Sequence, residues 1–140
     1  MDGSVLVDTG PIVAWINRRD TWHTWATEIF AHLSPPLLTC ELVLLEASFL
    51  IVRSGGTGTE VLSLLHKGVF KVGFHLESEV ETVERFMKRY RQVPMSLTDA
   101  CLVRMSELHP RSRLLTIDTG FRIYRRHDRQ VIPLLIPPGV

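Results

Sequence analysis

Short apolar runs alternate with segments of helical period along this chain, and that alternation does most to limit its possible architectures. Val5-Leu6-Val7 is the first run; it ends in a carboxylate, Asp8, and is punctuated by Thr9-Gly10-Pro11. Pro11 suits the first turn of a helix, where its missing N–H is not needed, and residues 12–17 continue that helix. Trp22, Trp25, Ala26, Ile29, Phe30 and Leu33 recur at helical spacing and predict an amphipathic helix capped by Thr21. Pro35-Pro36 stops it. Leu37-Leu38-Thr39 reads as a second strand, 41–53 as a mostly apolar helix closed by Ser54-Gly55-Gly56, and 57–67 as a helix capped by Thr57 with Glu60 three residues on. A strand over 69–74, a helix over 77–91, a break at Pro94 and a helix over 96–108 follow. Strands over 114–117, ending in Asp118, and over 131–136 complete the pattern. The prediction is α/β: a mostly parallel central sheet with helices on both faces. The length of 140 residues suits a single domain over 1–140.

Composition removes other classes. A 45% hydrophobic chain of net charge +1 does not read as disordered, and nine Gly and two Cys fit neither collagen nor a disulfide scaffold. No apolar run approaches the ~20 residues of a membrane helix, so no membrane association is expected. Met1-Asp2-Gly3-Ser4 has no basic stretch, and no secretory leader is expected. Cys40 and Cys101 stand alone in apolar stretches and read as buried free thiols of a cytoplasmic protein. No Cys/His spacing matches a zinc site. Between His109 and Arg129 lie six Arg (Arg111, Arg113, Arg122, Arg125, Arg126, Arg129) against two Asp. Such a strip is either a surface for phosphates or a solvated charged face.

Four acids stand where acids are awkward. Asp8 follows an apolar strand directly, a position that also suits a helix cap. Glu46 falls in line with Leu42, Phe49 and Leu50 and interrupts an apolar stripe. If that face is buried, the carboxylate needs partners or a metal; otherwise its stem packs while its head reaches an Arg or water. Asp99 pairs with Ser96 in a capping-box pattern, yet shares a face with Leu102, Val103 and Ser106. Asp118 repeats the Asp8 situation at a second strand end. Glu41, in a first helical turn, is accounted for by the helix dipole. In a parallel sheet, ligands bind beyond the carboxyl ends of the strands, and the four acids are expected to project there together. Like charges held close raise one another's pKa, and a hard divalent cation such as Mg2+ or Mn2+ relieves this. Such an ion activates water and neutralises charge on a phosphoryl group.

These stretches resemble the PIN-domain family of nucleases, and more closely its VapC-type toxin branch. The resemblance is carried by Val5-Leu6-Val7-Asp8-Thr9-Gly10-Pro11-Ile12-Val13-Ala14, Asp20-Thr21-Trp22-His23 and Leu44-Leu45-Glu46-Ala47. Val93-Pro94-Met95-Ser96-Leu97-Thr98-Asp99-Ala100 and Leu115-Thr116-Ile117-Asp118-Thr119-Gly120-Phe121 extend it over nearly the whole chain. It implies an endoribonuclease dependent on Mg2+ or Mn2+ that leaves 5′-phosphate and 3′-hydroxyl ends. It implies Asp8, Glu46, Asp99 and Asp118 as the acidic quartet, with Asp8 and Asp99 as direct metal ligands. Glu46 and Asp118 complete the shell or position water, and Thr9 and Thr116 lend hydroxyls. Arg122 and Arg125, with Thr116, are the expected contacts to RNA. The resemblance further implies a homodimer and a small antitoxin that covers the site.

Other readings compete. Asp8-Thr9-Gly10 and Asp118-Thr119-Gly120 are two Asp-Thr-Gly tripeptides, similar to the aspartic-protease signature, in which two Asp activate water without metal. That family is all-β, whereas this chain is full of helical period. A catalytically inactive PIN-like module that binds RNA or protein is another alternative, discriminated by how complete the acidic set is. A receiver-type phosphoacceptor domain lacks support, since no paired acids follow the first strand and no suitably placed Lys follows a late one.

Overall fold

Five of the apolar runs lie side by side in one parallel sheet. The computed structural model describes residues 3–140; Met1 and Asp2, part of the stretch read for a leader, lie outside the described residues. In chain order the strands are β1 (Val5–Val7), β2 (Leu37–Thr39), β3 (Phe70–Val72), β4 (Arg113–Leu115), β5 (Arg125–Arg126), β6 (Gln130–Val131) and β7 (Leu134–Leu135). The helices are α1 (Thr9–Ile16), α2 (His23–His32), α3 (Glu41–Arg53), α4 (Glu60–His66), α5 (Val80–Arg89) and α6 (Leu97–Leu108). The main sheet runs β3-β2-β1-β4-β7, every pair parallel, while β5 and β6 form a separate antiparallel hairpin.

That order positions everything else. From β1 the sheet grows outward through β2 to β3, then the chain crosses back and lays β4 on the other side of β1. Parallel crossovers are right-handed, so the reversal sends α1–α4 to one face and α5 and α6 to the other. The packing agrees: α1 lies against α2 and α3, and α5 against α6. Covered on both faces, the central strands are apolar at successive positions. Val5, Leu6 and Val7 are all buried, as are Leu114 and Leu115. Ile12, Val43, Phe86 and Leu102 meet them from the helices with no exposed surface. Each such side chain contributes roughly 1.5–3 kcal/mol through burial.

Several boundaries depart from the sequence pattern, each for a local reason. Thr21 does not cap α2; Asp20 takes the Trp22 N–H at 2.8 Å and the helix begins at His23. The expected 77–91 helix splits into a tight 3₁₀ turn, Leu76–Glu79, and α5. The expected last strand also divides. Gln130–Val131 turns back on Arg125–Arg126, and Leu134–Leu135 joins β4. Pro133 between them lacks an N–H, but its carbonyl accepts from Leu114 N at 2.8 Å. On α3 the inward face is Val43, Leu44, Ala47 and Ile51. The stripe shared by Glu46, Phe49 and Leu50 therefore faces outward, contrary to a buried-face reading. The α2 stripe does pack inward: Ala26 and Phe30 are buried, with Trp15 stacked on Phe30 at 4.2 Å.

Candidate active site

The reversal between β1 and β4 opens a crevice at the carboxyl ends of those strands, the usual ligand position in open α/β sheets. An open cavity of about 530 Å³ lies there, and Asp8, Glu46, Asp99 and Asp118 all line it. Asp8 leaves β1 and caps α1, with Oδ1 accepting from Thr9 N at 2.7 Å. Its Oδ2 accepts from the Thr116 hydroxyl, also at 2.7 Å. Only 7% of Asp8 is exposed. Burial pushes its pKa up to about 6, against the pull of those two hydrogen bonds, and the nearby Asp99 and Asp118 charges push the same way.

Three other elements bring the remaining acids. Glu46 projects from the outward side of α3 and is held by two hydroxyls: Thr9 on Oε1 at 3.0 Å and Thr98 on Oε2 at 2.6 Å. Asp99 is the third residue of α6 and closes a capping box with Ser96, Oδ2 accepting Ser96 N at 3.1 Å and Ser96 Oγ accepting Asp99 N at 3.0 Å. Burial raises its pKa as well. Asp118 follows β4 by way of Thr116, whose Oγ1 accepts the Asp118 N–H at 3.0 Å. Its Oδ1 folds onto Gly120 N at 2.8 Å. A Cβ on Gly120 would stand 3.0 Å from that oxygen, so the turn favours glycine. Gly10 lies within α1, and Gly120 within a 3₁₀ turn, Thr119–Arg122. The two Asp-Thr-Gly tripeptides thus belong to a parallel α/β sheet, not to the β-lobes of an aspartic protease.

The electrostatics of the cavity are one-sided. Among the described residues, none of the four carboxylates forms a salt bridge. Hydroxyls and amides orient the oxygens but leave the charge uncompensated. All-oxygen donors with no basic partner match what a hard divalent cation requires. Among the described residues, no three of the His, Cys, Asp and Glu side chains are gathered tightly enough to enclose an ion by themselves. A cation that keeps several waters and takes one or two carboxylates directly, as Mg2+ does, needs no such enclosure.

The expected RNA contacts fare differently from one another. Thr116 is fully buried, and its hydroxyl is committed to Asp8 and the Asp118 amide. It therefore orients acids and has no surface to offer a substrate. Arg125 turns its guanidinium onto the carbonyls of Arg122, Ile123 and Tyr124 at 2.7–3.1 Å. Arg122 is exposed in the turn that follows Asp118. Arg113 starts β4 opposite Val5, at the amino edge of the sheet, and the basic strip is thereby split between its two edges. Two contributors escaped the sequence reading. Thr98 precedes Asp99, and its hydroxyl reaches Glu46 from 52 residues away, a distance no local pattern signals. Tyr124 is 2% exposed and donates to Asp99 Oδ2 at 3.3 Å. Burial and the Asp99 and Asp118 charges raise its pKa and keep it a donor.

Known proteins resemble this chain in sequence and in fold. Over 132 residues the chain is 22% identical to Ribonuclease VapC26 of Mycobacterium tuberculosis, covering 93% of each. Its fold is similar to the crystal structure of Mycobacterium tuberculosis VapC20, described as a Sarcin-Ricin loop cleaving toxin. The TM-score is 0.76 at 22% identity, over 83% of this chain and 91% of that one. A family model described as PIN domain matches residues 5–126. With that match running from the first strand past the last of the four acids, the chain belongs to the PIN domain family.

Proposed function

We propose that this chain is an endoribonuclease that hydrolyses RNA phosphodiester bonds with a bound divalent cation, Mg2+ or Mn2+, and that it is the toxin of a toxin–antitoxin pair. The observation that carries the reading is the cavity at the β1/β4 reversal, lined by four carboxylates without a cationic partner among the described residues. The family and the likeness to a protein named a ribonuclease agree with it. A complete acidic set speaks against an inactive binding module.

Asp8 and Asp99 would hold the cation, with Glu46 and Asp118 completing the shell or positioning water. When bound, the cation lowers the pKa of water and offsets charge developing on the phosphoryl group. The chain does the rest. Thr116 and the Thr9 amide fix both oxygens of Asp8, and Thr9 and Thr98 fix both of Glu46. Asp118 keeps Oδ2 free of protein donors among the described residues while Gly120 N holds Oδ1, which suits Oδ2 to accept a proton from an attacking water. Arg122, exposed in the turn after Asp118, would contact a flanking phosphate.

Partners follow from the same reading. We assign a homodimer and a small antitoxin protein that covers the site. The outward face of α3 supports a protein contact: Leu45 is 71% exposed, Phe49 58% and Val52 51%. Apolar residues grouped in this way on a surface mark an interaction site. Among the described residues no helix is long and apolar enough to cross a membrane, and Cys40 and Cys101 are free and buried. We place the activity in the cytoplasm, where thiols stay reduced.

Purified protein should cut RNA when Mg2+ or Mn2+ is added, stop with EDTA, and leave 5′-phosphate and 3′-hydroxyl ends. Cleavage that survives both Asp8→Asn and Asp99→Asn would overturn the assignment.

A further inference from the structure

Asp99 carries two hydrogen bonds on one oxygen and, among the described residues, none on the other. Oδ2 accepts from the Ser96 amide at 3.1 Å and from the Tyr124 hydroxyl at 3.3 Å. The Ser96 bond is local and belongs to the start of α6. The Tyr124 bond is not local. It arrives from 25 residues along the chain, from the segment that follows the Asp118 turn. Tyr124 is too buried to touch an RNA strand. Its ring is wedged edge-on against Tyr90 and Phe121, with centroids 5.1 and 5.4 Å away. Packing accounts for the ring but not for the hydroxyl. A buried phenol needs an acceptor, and phenylalanine would fill the same space without that need. The acceptors present are the Asp99 carboxylate and, at 3.5 Å, the Pro94 carbonyl.

We propose that Tyr124 is a positioning residue for the metal site: its hydroxyl pins Asp99 Oδ2 and so reserves Oδ1 for a divalent cation. The inference rests on the metal-dependent reading above. The same hydroxyl ties the Asp118 segment to the first turn of α6, so two acids from separate elements keep their spacing. Outer partners of metal ligands act in this way, by fixing the orientation of the ligating group.

The test titrates Mn2+ into wild type, Y124F, Y90F and D99N by calorimetry, with metal-free thermal melts of each. Y90F is the packing control. Tyr90 touches the same ring, and its hydroxyl accepts from Arg125 N at 3.1 Å, with no hydrogen bond to Asp99. Y124F should melt close to wild type without metal and bind Mn2+ roughly tenfold more weakly. Y90F should keep wild-type affinity, and D99N should lose binding. At limiting Mn2+, RNA cleavage by Y124F should fall and then recover as Mn2+ is raised. Y124F binding as tightly as wild type, or an equal loss in Y90F, overturns the inference. A Y124F chain that does not fold also overturns it, because the hydroxyl would then hold the fold and not one carboxylate. A wild type that binds no Mn2+ brings down the metal-dependent reading and this one with it. Binding lost in D99N but kept in Y124F brings down this one alone.

Discussion

Two groups of carboxylates in this molecule are satisfied by opposite means. Glu79 and Glu107 share Arg104, at 2.6 and 2.9 Å, and the second oxygen of Glu107 takes the His127 amide at 2.7 Å. That cluster is complete, each acid having both a hydrogen bond and a countercharge. Asp8, Glu46, Asp99 and Asp118 have hydrogen bonds from hydroxyls and amides and, among the described residues, no countercharge. Hydrogen bonds fix where an oxygen points; the repulsion between neighbouring carboxylates is relieved by a countercharge or by taking up a proton. The first group ties the 3₁₀ turn ahead of α5 to α6. The second leaves its charge open along the cavity it lines.

The largest expected effect breaks the second group. Asp8→Asn and Asp99→Asn should each lower RNA cleavage on the order of 10²–10³-fold in a gel assay, while Glu107→Gln leaves it unchanged. Thr116→Val should come next. It strips the donor from Asp8 Oδ2 while keeping the side-chain volume, and should cost about 10–100-fold in cleavage or Mn2+ affinity. Wild-type kinetics in that variant would show that the hydroxyl does not orient Asp8. The first group answers on a different axis. Arg104→Met leaves Glu79 and Glu107 without their cation and should lower stability by about 1–3 kcal/mol in urea, with Mn2+ affinity unaltered.

The smallest effect sharpens the comparison through pH. Burial raises Asp8 from 3.8 to about 6, so the folded chain holds that proton more tightly than the unfolded chain does. The cost of ionising it is absent below about pH 4, grows between 4 and 6, and is complete above. Metal-free wild type should therefore lose stability across that window. Asp8→Asn should not, and should be the more stable protein at pH 7. Equal urea midpoints at pH 7 would show that Asp8 carries no such cost.

The sheet was legible because each central strand is a short apolar run closed by a breaker, and Asp8 and Asp118 stand out as acids at the ends of such runs. Glu46 was picked out for a reason the fold reverses. Its stripe of α3 faces outward, with Phe49 58% exposed, so the acid reaches the cavity across a surface and not through a core. The basic strip misled because sequence proximity says nothing of edge: Arg113 starts β4 and Arg122 follows its far end. Thr98 and Tyr124 left no trace to read. Their bonds to Glu46 and Asp99 span 52 and 25 residues, and only the topology brings those partners together.

The β1–β4 pairing has a consequence for synthesis. The Thr116–Asp8 bond joins groups 108 positions apart, and β1 stays open on one side until β4 has been made. Such distant pairing forms late, after the entropy of a long loop has been lost. A growing chain still on its ribosome therefore holds a half-built sheet with scattered acids, and the four-carboxylate cavity is assembled only once β4 and the Asp118 turn have been made.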